Sequence, residues 1–329
     1  MISYNKIKGL NGMRIFFVSV FAALMTEMAF AETRIGIIGC DTCHAVAFAQ
    51  LINVEKKDFA EGFRVSAAYQ WGSKEIASCT NTYKYFMPKI RAMQVEIVSS
   101  IQDLLTKCDV VCLETCDGRL HYEQAVEVFK SGKRVFIDKP LAHDFVTAKR
   151  IYEEGLKHHA CYFSSSALRY ADEQQSCACG KYGRIMGCDY FAPSPVEVQG
   201  THSRYVWYGI HGFEPIMTVM GRGIESVRTV VADGTDIVVL KWKDGRVATL
   251  RATDERHEYG GYAHPAKGTS VCLGGYEGYE KLLKRILDFF RSGEVPVPNE
   301  ETLELFAAME AAERSRRTGG AEVFLSDLP

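Results

Sequence analysis

Three polar residues at helical spacing, Tyr208, His211 and Glu214, have the side chains best suited to moving a proton. Residues three apart lie on one face of a helix, so these side chains form one polar stripe. An imidazole titrates near neutral pH, which suits proton transfer to or from a carbinol oxygen, and Glu214 could orient the ring of His211. The alternative is that they are half-buried polar residues between two domains. We expect the catalytic role.

A second group, the segment Gly39-Cys40-Asp41-Thr42-Cys43-His44, could form a dinucleotide-binding turn in which Thr42 and His44 contact the cofactor. The pattern is degenerate, since Gly39 fills the first position of G-x-G-x-x-G while Asp41 and His44 stand at the second and third. Because a carboxylate repels phosphate, we expect Asp41 to turn away and cap the following helix through the N–H of Cys43 or His44. The alternative is an α/β domain that binds no dinucleotide.

The residues that would select the cofactor follow the next strand, in Gln70-Trp71-Gly72-Ser73-Lys74. NAD-binding domains usually place Asp or Glu here against the ribose hydroxyls, and this segment has neither. We expect Gln70 and Ser73 to contact the cofactor. Ser73 and Lys74 could meet a ribose 2′-phosphate, which favours NADP, unless Lys74 is simply solvated. NAD and NADP therefore both stay open.

These residues depend on a frame of alternating strands and helices that begins at Thr33. Short apolar runs predict buried parallel strands, and apolar residues at helical spacing separate them. The predicted strands are Arg34–Gly39, Phe63–Tyr69, Asp109–Glu114 and Arg134–Ile137, and the predicted helices are His44–Ile52, Ile97–Leu105 and Tyr122–Ser131. The alternation predicts a doubly wound parallel sheet, a Rossmann domain at residues 32–160.

Residues 161–329 have a different pattern, in which strand-like runs follow one another before the chain turns helical again. Asp244-Gly245, between two of these runs, is a strong hairpin signal. The predicted strands are Cys161–Ser165, Gly187–Phe191, Ser226–Val231, Ile237–Trp242 and Arg246–Arg251, and the predicted helices are Tyr279–Arg291 and Asn299–Thr318. We therefore expect a second α/β domain with a mostly antiparallel open sheet.

A series of motifs between Asp109 and Ala142 resembles the Gfo/Idh/MocA family. The motifs are Thr115-Cys116 after a strand, a helix led by His121, the run Gly132-Lys133-Arg134-Val135, and Asp138-Lys139-Pro140. Cys116 replaces the family's usual proline, and Asp138 replaces its usual glutamate. The resemblance continues through Leu168-Arg169-Tyr170, the segment 208–214 and the C-terminal helices, so it covers nearly the whole chain after residue 31.

The resemblance implies an NAD(P)-dependent oxidoreductase that transfers a hydride between a sugar or polyol carbinol and nicotinamide, in a cleft between the domains. Arg169 is expected to bind substrate, or equally to form a salt bridge between the domains. The candidate residues are, for catalysis, Lys139, His211 and Glu214; for the cofactor, Gly39, Asp41, Thr42, His44, Gln70, Ser73, Thr115, His121, Asp138 and Lys139; and for the substrate, Arg169, Tyr208 and His211.

One departure from the family weakens this assignment. The family often has Asp one helical turn before the catalytic histidine, where this chain has Trp207. Two alternatives therefore stay open: a glycoside hydrolase-type enzyme with internally recycled NAD, and a noncatalytic carbohydrate-binding relative. Family members often form dimers or tetramers through the second sheet, so we expect a homo-oligomer, with the C-terminal helices packing back on the Rossmann domain.

The composition limits the possible partners. The formal net charge is -2 and no basic block is present, so nucleic acid is not an expected partner. Most of the eleven cysteines are interpreted as core residues. Cys177-Ala178-Cys179 is too tightly spaced for a normal zinc pair, and no metal site is predicted.

The N-terminus has the features of a secretory signal. Lys6, Lys8 and Arg14 precede the apolar run Ile15–Met25, and Ala29-Phe30-Ala31 provides a cleavage site before Glu32. Residues 1–31 are therefore expected to direct export to the periplasm or the medium, without stable membrane insertion after cleavage. An uncleaved anchor, or a buried helix in a cytoplasmic protein, is the alternative.

Overall fold

The computed structural model describes residues 32–196, 200–255 and 258–329. The predicted signal peptide, residues 1–31, lies outside the described residues. Within those ranges, no helix combines the length and the apolar character that crossing a membrane requires. The described residues form two domains, both of which follow Ala31.

The first domain is built on a six-stranded parallel sheet with the strand order β3-β2-β1-β4-β5-β6. This confirms the predicted doubly wound sheet. Its strands are β1 (Thr33–Ile38), β2 (Phe63–Tyr69), β3 (Glu96–Val98), β4 (Val110–Leu113), β5 (Val135–Asp138) and β6 (Tyr162–Ser165). The chain order reverses between β1 and β4, so a crevice opens beyond the carboxyl ends of these two strands.

Helices cover both faces of this sheet, which is why β4 is apolar and buried along its whole length and β1 is buried from Ile35 onward. The helices are α1 (Cys43–Ala49), which continues into a π-helical turn (Gln50–Val54), α2 (Ala77–Ala92), α3 (Ile101–Lys107), α4 (His121–Lys130) and α5 (Phe145–Lys157). One face packs against α1 and α2, and the other packs against α3, α4 and α5.

Two boundaries predicted from the sequence are wrong. Residues 96–98 form a strand beside β2, and α3 begins only after Ser100, whose hydroxyl accepts the N–H of Asp103 as an N-cap. Cys161–Ser165, predicted to open the second domain, instead provides β6, which pairs parallel with β5. The first sheet therefore extends to Ser165. A short apolar run fits strands of either sheet, so the sequence pattern alone did not decide.

The second domain contains a seven-stranded sheet with the order β12-β11-β7-β10-β9-β8-β13. Its strands are β7 (Ile185–Pro193), β8 (Ile224–Ala232), β9 (Thr235–Trp242), β10 (Val247–Thr253), β11 (Gly260–Pro265), β12 (Val271–Leu273) and β13 (Val323–Phe324). Among the strands that the structure describes in this sheet, only β7 and β10 pair in parallel, which confirms the mostly antiparallel prediction. Two helices, α6 (Asp172–Ala178) and α7 (Ile210–Met220), lie against it.

The two C-terminal helices, α8 (Glu280–Ser292) and α9 (Asn299–Arg317), connect the domains. The apolar face of α8 packs into the core of the first sheet; its buried residues are Leu282, Leu283, Ile286, Leu287, Phe289 and Phe290. α9 lies against α5 of the first domain and against β8 and α7 of the second. Because both helices bury residues in shared cores, the domains pack closely around the cleft.

Candidate active site

The first turn of the site follows β1, where Gly39 adopts a φ of 89°. A Cβ at this position would lie 2.5 Å from Oγ1 of Thr115, because the loops after β1 and β4 approach each other closely. Glycine is therefore required here by both conformation and space. Thr42 is the N-cap residue of α1, but its side chain makes no capping hydrogen bond.

The side chain of Asp41 does not cap α1, which corrects the prediction from the sequence. Its carboxylate accepts the N–H of Ser73 at 2.9 Å and the N–H of Cys116 at 3.2 Å, and so joins the loops after β2 and β4. Gly72 leaves room for it, because a Cβ there would overlap the carboxyl group. Burial raises the pKa of Asp41 to about 6, although these backbone donors oppose the shift.

The carboxylate of Asp41 bonds one residue from each of two cavities, Ser73 and Cys116. The first cavity, about 510 Å³, lies beyond the end of β2 and includes Trp71, Ser73 and Arg119 in its lining. The second, about 520 Å³, lies between the domains and includes Asp41. The pyrophosphate of a dinucleotide passes between two such cavities, at the helix N-terminus. A dinucleotide that spanned both cavities would require the carboxylate of Asp41 to move aside or to take up a proton.

The residues expected at the ribose have partners within the protein. The hydroxyl of Ser73 donates to Asp117 at 2.9 Å, and Gln70 accepts from the hydroxyl of Tyr83 at 3.0 Å. The ammonium of Lys74 lies 4.4 Å from the centre of the Trp71 ring. The hydroxyl of Ser73 therefore has a partner in the loop after β4, and its contact with the cofactor stays a prediction.

The second cavity brings together residues of both domains. Asp138, Lys139 and Pro140 line it from the end of β5, and Trp207 and Tyr208 line it from the segment before α7. The ammonium of Lys139 lies 6.0 Å from the centre of the Tyr208 ring. Lys139 of the first domain and Tyr208 of the second therefore line one cavity, and their catalytic and substrate-binding roles stay predictions.

His211 lies beside this cavity, with its ring 5.0 Å from that of Tyr208. Its Nδ1 is 2.7 Å from Oγ of Ser166, which follows β6 directly. Burial, and then the charge of Lys139, lower the pKa of His211 well below its ordinary value, so the imidazole is neutral. Ser166 was not singled out from the sequence; a run of three serines at the carboxyl end of a strand was the available signal.

The structure corrects the expected role of Glu214. Its carboxylate accepts Nε–H of Arg169 at 2.7 Å and the N–H of Ser166 at 3.4 Å, so Ser166, not Glu214, orients His211. Arg169 also contacts Glu301 at 2.7 Å and is buried. Two carboxylates already occupy the guanidinium, which favours the salt-bridge role, but all three residues follow Ser165, so the salt bridge lies within the second domain and not between the domains.

His121 was expected to line the nicotinamide pocket, but it is buried away from the cavity. Its two ring nitrogens lie 2.6 Å from the carbonyl oxygen of Thr115 and 3.1 Å from that of Leu141. It therefore ties the loop after β4 to the loop after β5. Thr115 itself is buried, and its hydroxyl has no hydrogen-bond partner among the described residues.

A further set of polar side chains lies beneath the second cavity. Nδ1 of His44 is 2.8 Å from Oδ2 of Asp138 and 3.9 Å from Oε2 of Glu114. Burial, and then the nearby Asp138, raise the pKa of Glu114 well above its ordinary value. Burial opposes ionisation of Asp138 too, but His44 and Lys139 hold its pKa below the usual range. An acid that ends an apolar strand was the sequence signal for Glu114.

Comparisons with known proteins agree with this architecture. The family model for oxidoreductases with an NAD-binding Rossmann fold, GFO_IDH_MocA, matches residues 33–165. A search of curated proteins found no match. Among solved structures, GenD2 from gentamicin A biosynthesis, in complex with NAD, is 12% identical, with 89% of this chain and 96% of that chain covered at a TM-score of 0.70.

Two inositol dehydrogenases have similar folds. Myo-inositol dehydrogenase from Lactobacillus casei, in complex with NAD(H) and myo-inositol, is 15% identical, with 89% of this chain and 96% of that chain covered at a TM-score of 0.69. Myo-inositol 2-dehydrogenase from Lactobacillus plantarum is 16% identical, with coverages of 89% and 99% and a TM-score of 0.68. At these identities the likeness shows a common fold.

Proposed function

We propose that this chain, whose residues 33–165 match the model of the Gfo/Idh/MocA family of NAD-binding oxidoreductases, transfers a hydride between a secondary carbinol of a sugar or polyol and nicotinamide. The observation that carries this proposal is the cavity between the domains, where Lys139 and Tyr208 face each other beside His211. The cofactor supplies the hydride chemistry, and the protein supplies orientation and proton transfer.

Two side chains divide the work at the carbinol oxygen. Lys139 hydrogen-bonds this oxygen, since its ammonium lies in the cavity at the end of β5. His211 is neutral, so it can take up the proton at Nε2 while Nδ1–H is donated to Ser166. Ser166 is then a positioning residue that fixes the tautomer and the direction of the ring.

The lining of the cavity suits a polyol. Its polar groups, including Lys139 and Tyr208, can bond hydroxyl groups, and the ring of Trp207 offers an apolar surface for the C–H side of a sugar ring. The similar fold solved with NAD(H) and myo-inositol supports this substrate class. Gly39, Thr115 and the N-terminus of α1 would hold the pyrophosphate, with Asp138 and Lys139 beside the nicotinamide ribose.

One rival function has structural support. Asp41 crosses the path of the pyrophosphate, and Trp207 stands where the family often has a carboxylate, which favours a noncatalytic carbohydrate-binding protein. A hydrolase with recycled NAD would cleave a glycosidic bond without net reduction of the cofactor. The three functions therefore differ in dinucleotide binding and in the net absorbance change of nicotinamide.

The test combines two measurements on the purified chain. Mass spectrometry of released small molecules identifies a bound dinucleotide, and absorbance of reduced nicotinamide follows turnover with a panel of inositols and sugars. We expect Lys139→Met and His211→Asn to lower kcat/KM by about 100-fold or more, and the exposed control Lys130→Met to leave it unchanged. A protein that neither contains nor takes up NAD or NADP would disprove the enzymatic proposal.

Two further features of the sequence extend the proposal. We propose that residues 1–31 export the chain with its cofactor already bound, which N-terminal sequencing of cell fractions would test. We also propose that copies associate through the open face of the second sheet, where Phe191, Val230, Val247 and Tyr262 are exposed. Light scattering would show a dimer or tetramer; a monomer at high concentration would contradict this part.

A further inference from the structure

His44, Glu114 and Asp138 form a compact buried cluster that takes no part in the proton transfer of the proposed reaction, although Asp138 also lies beside the expected nicotinamide ribose. One possible ligand atom of each side chain lies within 4.8 Å of the other two. The three residues are 6%, 0% and 1% exposed. They come from the first turn of α1, the residue after β4 and the last residue of β5, so three separate elements converge at the carboxyl edge of the sheet.

Several polar atoms of this cluster have no hydrogen-bond partner among the described residues. Neither carboxylate oxygen of Glu114, nor Oδ1 of Asp138, has a hydrogen-bond partner among the described residues. Nδ1 of His44 is 2.8 Å from Oδ2 of Asp138, and this is the one short contact within the cluster among the described residues. Buried polar atoms usually have partners, because leaving them bare costs free energy. A ligand bound between the three side chains would give all of these atoms a partner.

We propose that this cluster binds one divalent transition-metal ion. An imidazole nitrogen with two carboxylate oxygens suits Zn²⁺, Mn²⁺, Fe²⁺ or Co²⁺. With metal–ligand bonds of about 2.0–2.2 Å, neighbouring ligand atoms lie roughly 3–3.5 Å apart. The observed separations of 2.8 and 3.9 Å from His44 Nδ1 bracket this value, so small side-chain rotations complete the geometry.

Charge and access also fit an ion. Two carboxylates balance a divalent charge, so binding adds no excess charge beside the ammonium of Lys139. His44 and Asp138 both line the cavity between the domains, which gives the ion a route of entry and a remaining position for water. The ion would join α1 to the ends of β4 and β5, and would fix the strand end that carries Lys139.

The test measures metal content in the purified, untagged chain without added dinucleotide, so its result is independent of the proposed oxidoreductase activity. After treatment with a chelator, the protein is dialysed against Zn²⁺, Mn²⁺ or Co²⁺. Its metal content per chain is then measured by inductively coupled plasma mass spectrometry. We expect one ion per chain, a rise in Tm on binding, and visible absorption bands with Co²⁺.

Two variants remove one ligand each. Glu114→Gln keeps the shape and loses the charge, and His44→Gln removes the imidazole; each is expected to lower bound metal at least tenfold and to abolish the rise in Tm. The control His264→Ala removes an exposed histidine that lies 2.9 Å from Asp189, and should leave the metal content unchanged. Circular dichroism confirms that each variant is folded.

Two results would overturn the proposal. One is a folded wild-type chain that binds none of the three ions stoichiometrically, which would mean that the cluster holds only protons. The other is stoichiometric metal that persists in both Glu114→Gln and His44→Gln, which would place the ion elsewhere.

Discussion

Buried carboxylates occur in both domains, but their partners differ. In the second domain, Glu214 faces Arg169, and Asp236 faces Arg204 at 3.3 Å and Arg316 at 3.1 Å. In the first domain, Asp117 has an arginine partner, Arg119, whereas Asp41, Glu114 and Asp138 have none among the described residues.

The difference separates two uses of a buried charge. A carboxylate matched to arginine belongs to the packing between elements, and removing its partner leaves an uncompensated charge. The three unmatched carboxylates all surround the dinucleotide turn, where the protein tolerates a cost that a bound ligand can offset. The four experiments below test this distinction, from the largest expected effect to the smallest.

The largest effect is expected from Arg169→Met, which leaves Glu214 and Glu301 without their shared cation. Breaking a buried ion pair costs about 3–5 kcal/mol, measured as the free energy of unfolding in urea. The control is Arg184→Met, which breaks an exposed contact with Asp244 and should cost less than about 1 kcal/mol. Equal costs at both sites would remove the basis of the comparison.

The comparison becomes sharper when the same substitution is made at two buried glutamates, one with an arginine partner and one without. We expect Glu214→Gln to cost about 3 kcal/mol, because Arg169 loses a buried partner. Glu114→Gln, measured with a chelator present, should change the free energy of unfolding by less than about 1 kcal/mol, because no pairing is lost. A large loss at Glu114 would show that it has a structural partner after all.

Asp41 gives a pH dependence. Its carboxyl group, with a pKa of about 6, is neutral below that pH and charged above it, and the charge repels a pyrophosphate. NAD affinity should therefore fall about tenfold as the pH rises from about 5.5 to 7.5. In Asp41→Asn, calorimetry should give an affinity that is nearly independent of pH. A slope that survives in the variant would assign the effect to another group.

The smallest effect is expected at Ser166, the partner of His211. Ser166→Ala removes one hydrogen bond, worth about 1 kcal/mol, so kcat should fall about fivefold while KM changes little. Ser166→Thr keeps the hydroxyl and should restore most of the rate. A purely structural role would instead lower stability without changing the pH profile of kcat, which reports the titration of His211.

Strands and site residues differed in how well the sequence predicted them. The strand Phe63–Tyr69 was predicted at its observed bounds. Residues that are not apolar flank this run at both ends, which limits where a strand can begin and end. α2 was not predicted; it is rich in Ser, Thr and Asn, contains Pro88, and buries only a few side chains. Its helical state therefore depends on tertiary packing more than on its own pattern.

The pairings within the site were harder to predict than its members. Spacing alone placed His211 and Glu214 on one helix face, but their partners lie 45 residues away, at Ser166 and Arg169. Helical periodicity predicts which residues lie on the same face of a helix, but it does not predict which distant side chains pack against that face. A shared cavity at Lys139 and Tyr208 was predictable, because the order of the family motifs along the chain places both residues at the cleft between the domains.

The position of α8 has a consequence for synthesis. Residues 33–165 contain all six strands of the first sheet, yet one side of their core includes α8, which lies more than a hundred residues later. During translation this apolar surface stays uncovered until the ribosome has made β7 to β12 of the second domain and then α8. A fragment that ends at Ser165 would leave the apolar residues that pack against α8 exposed to solvent. We therefore expect the fragment to aggregate, and the nascent first domain to bind chaperones.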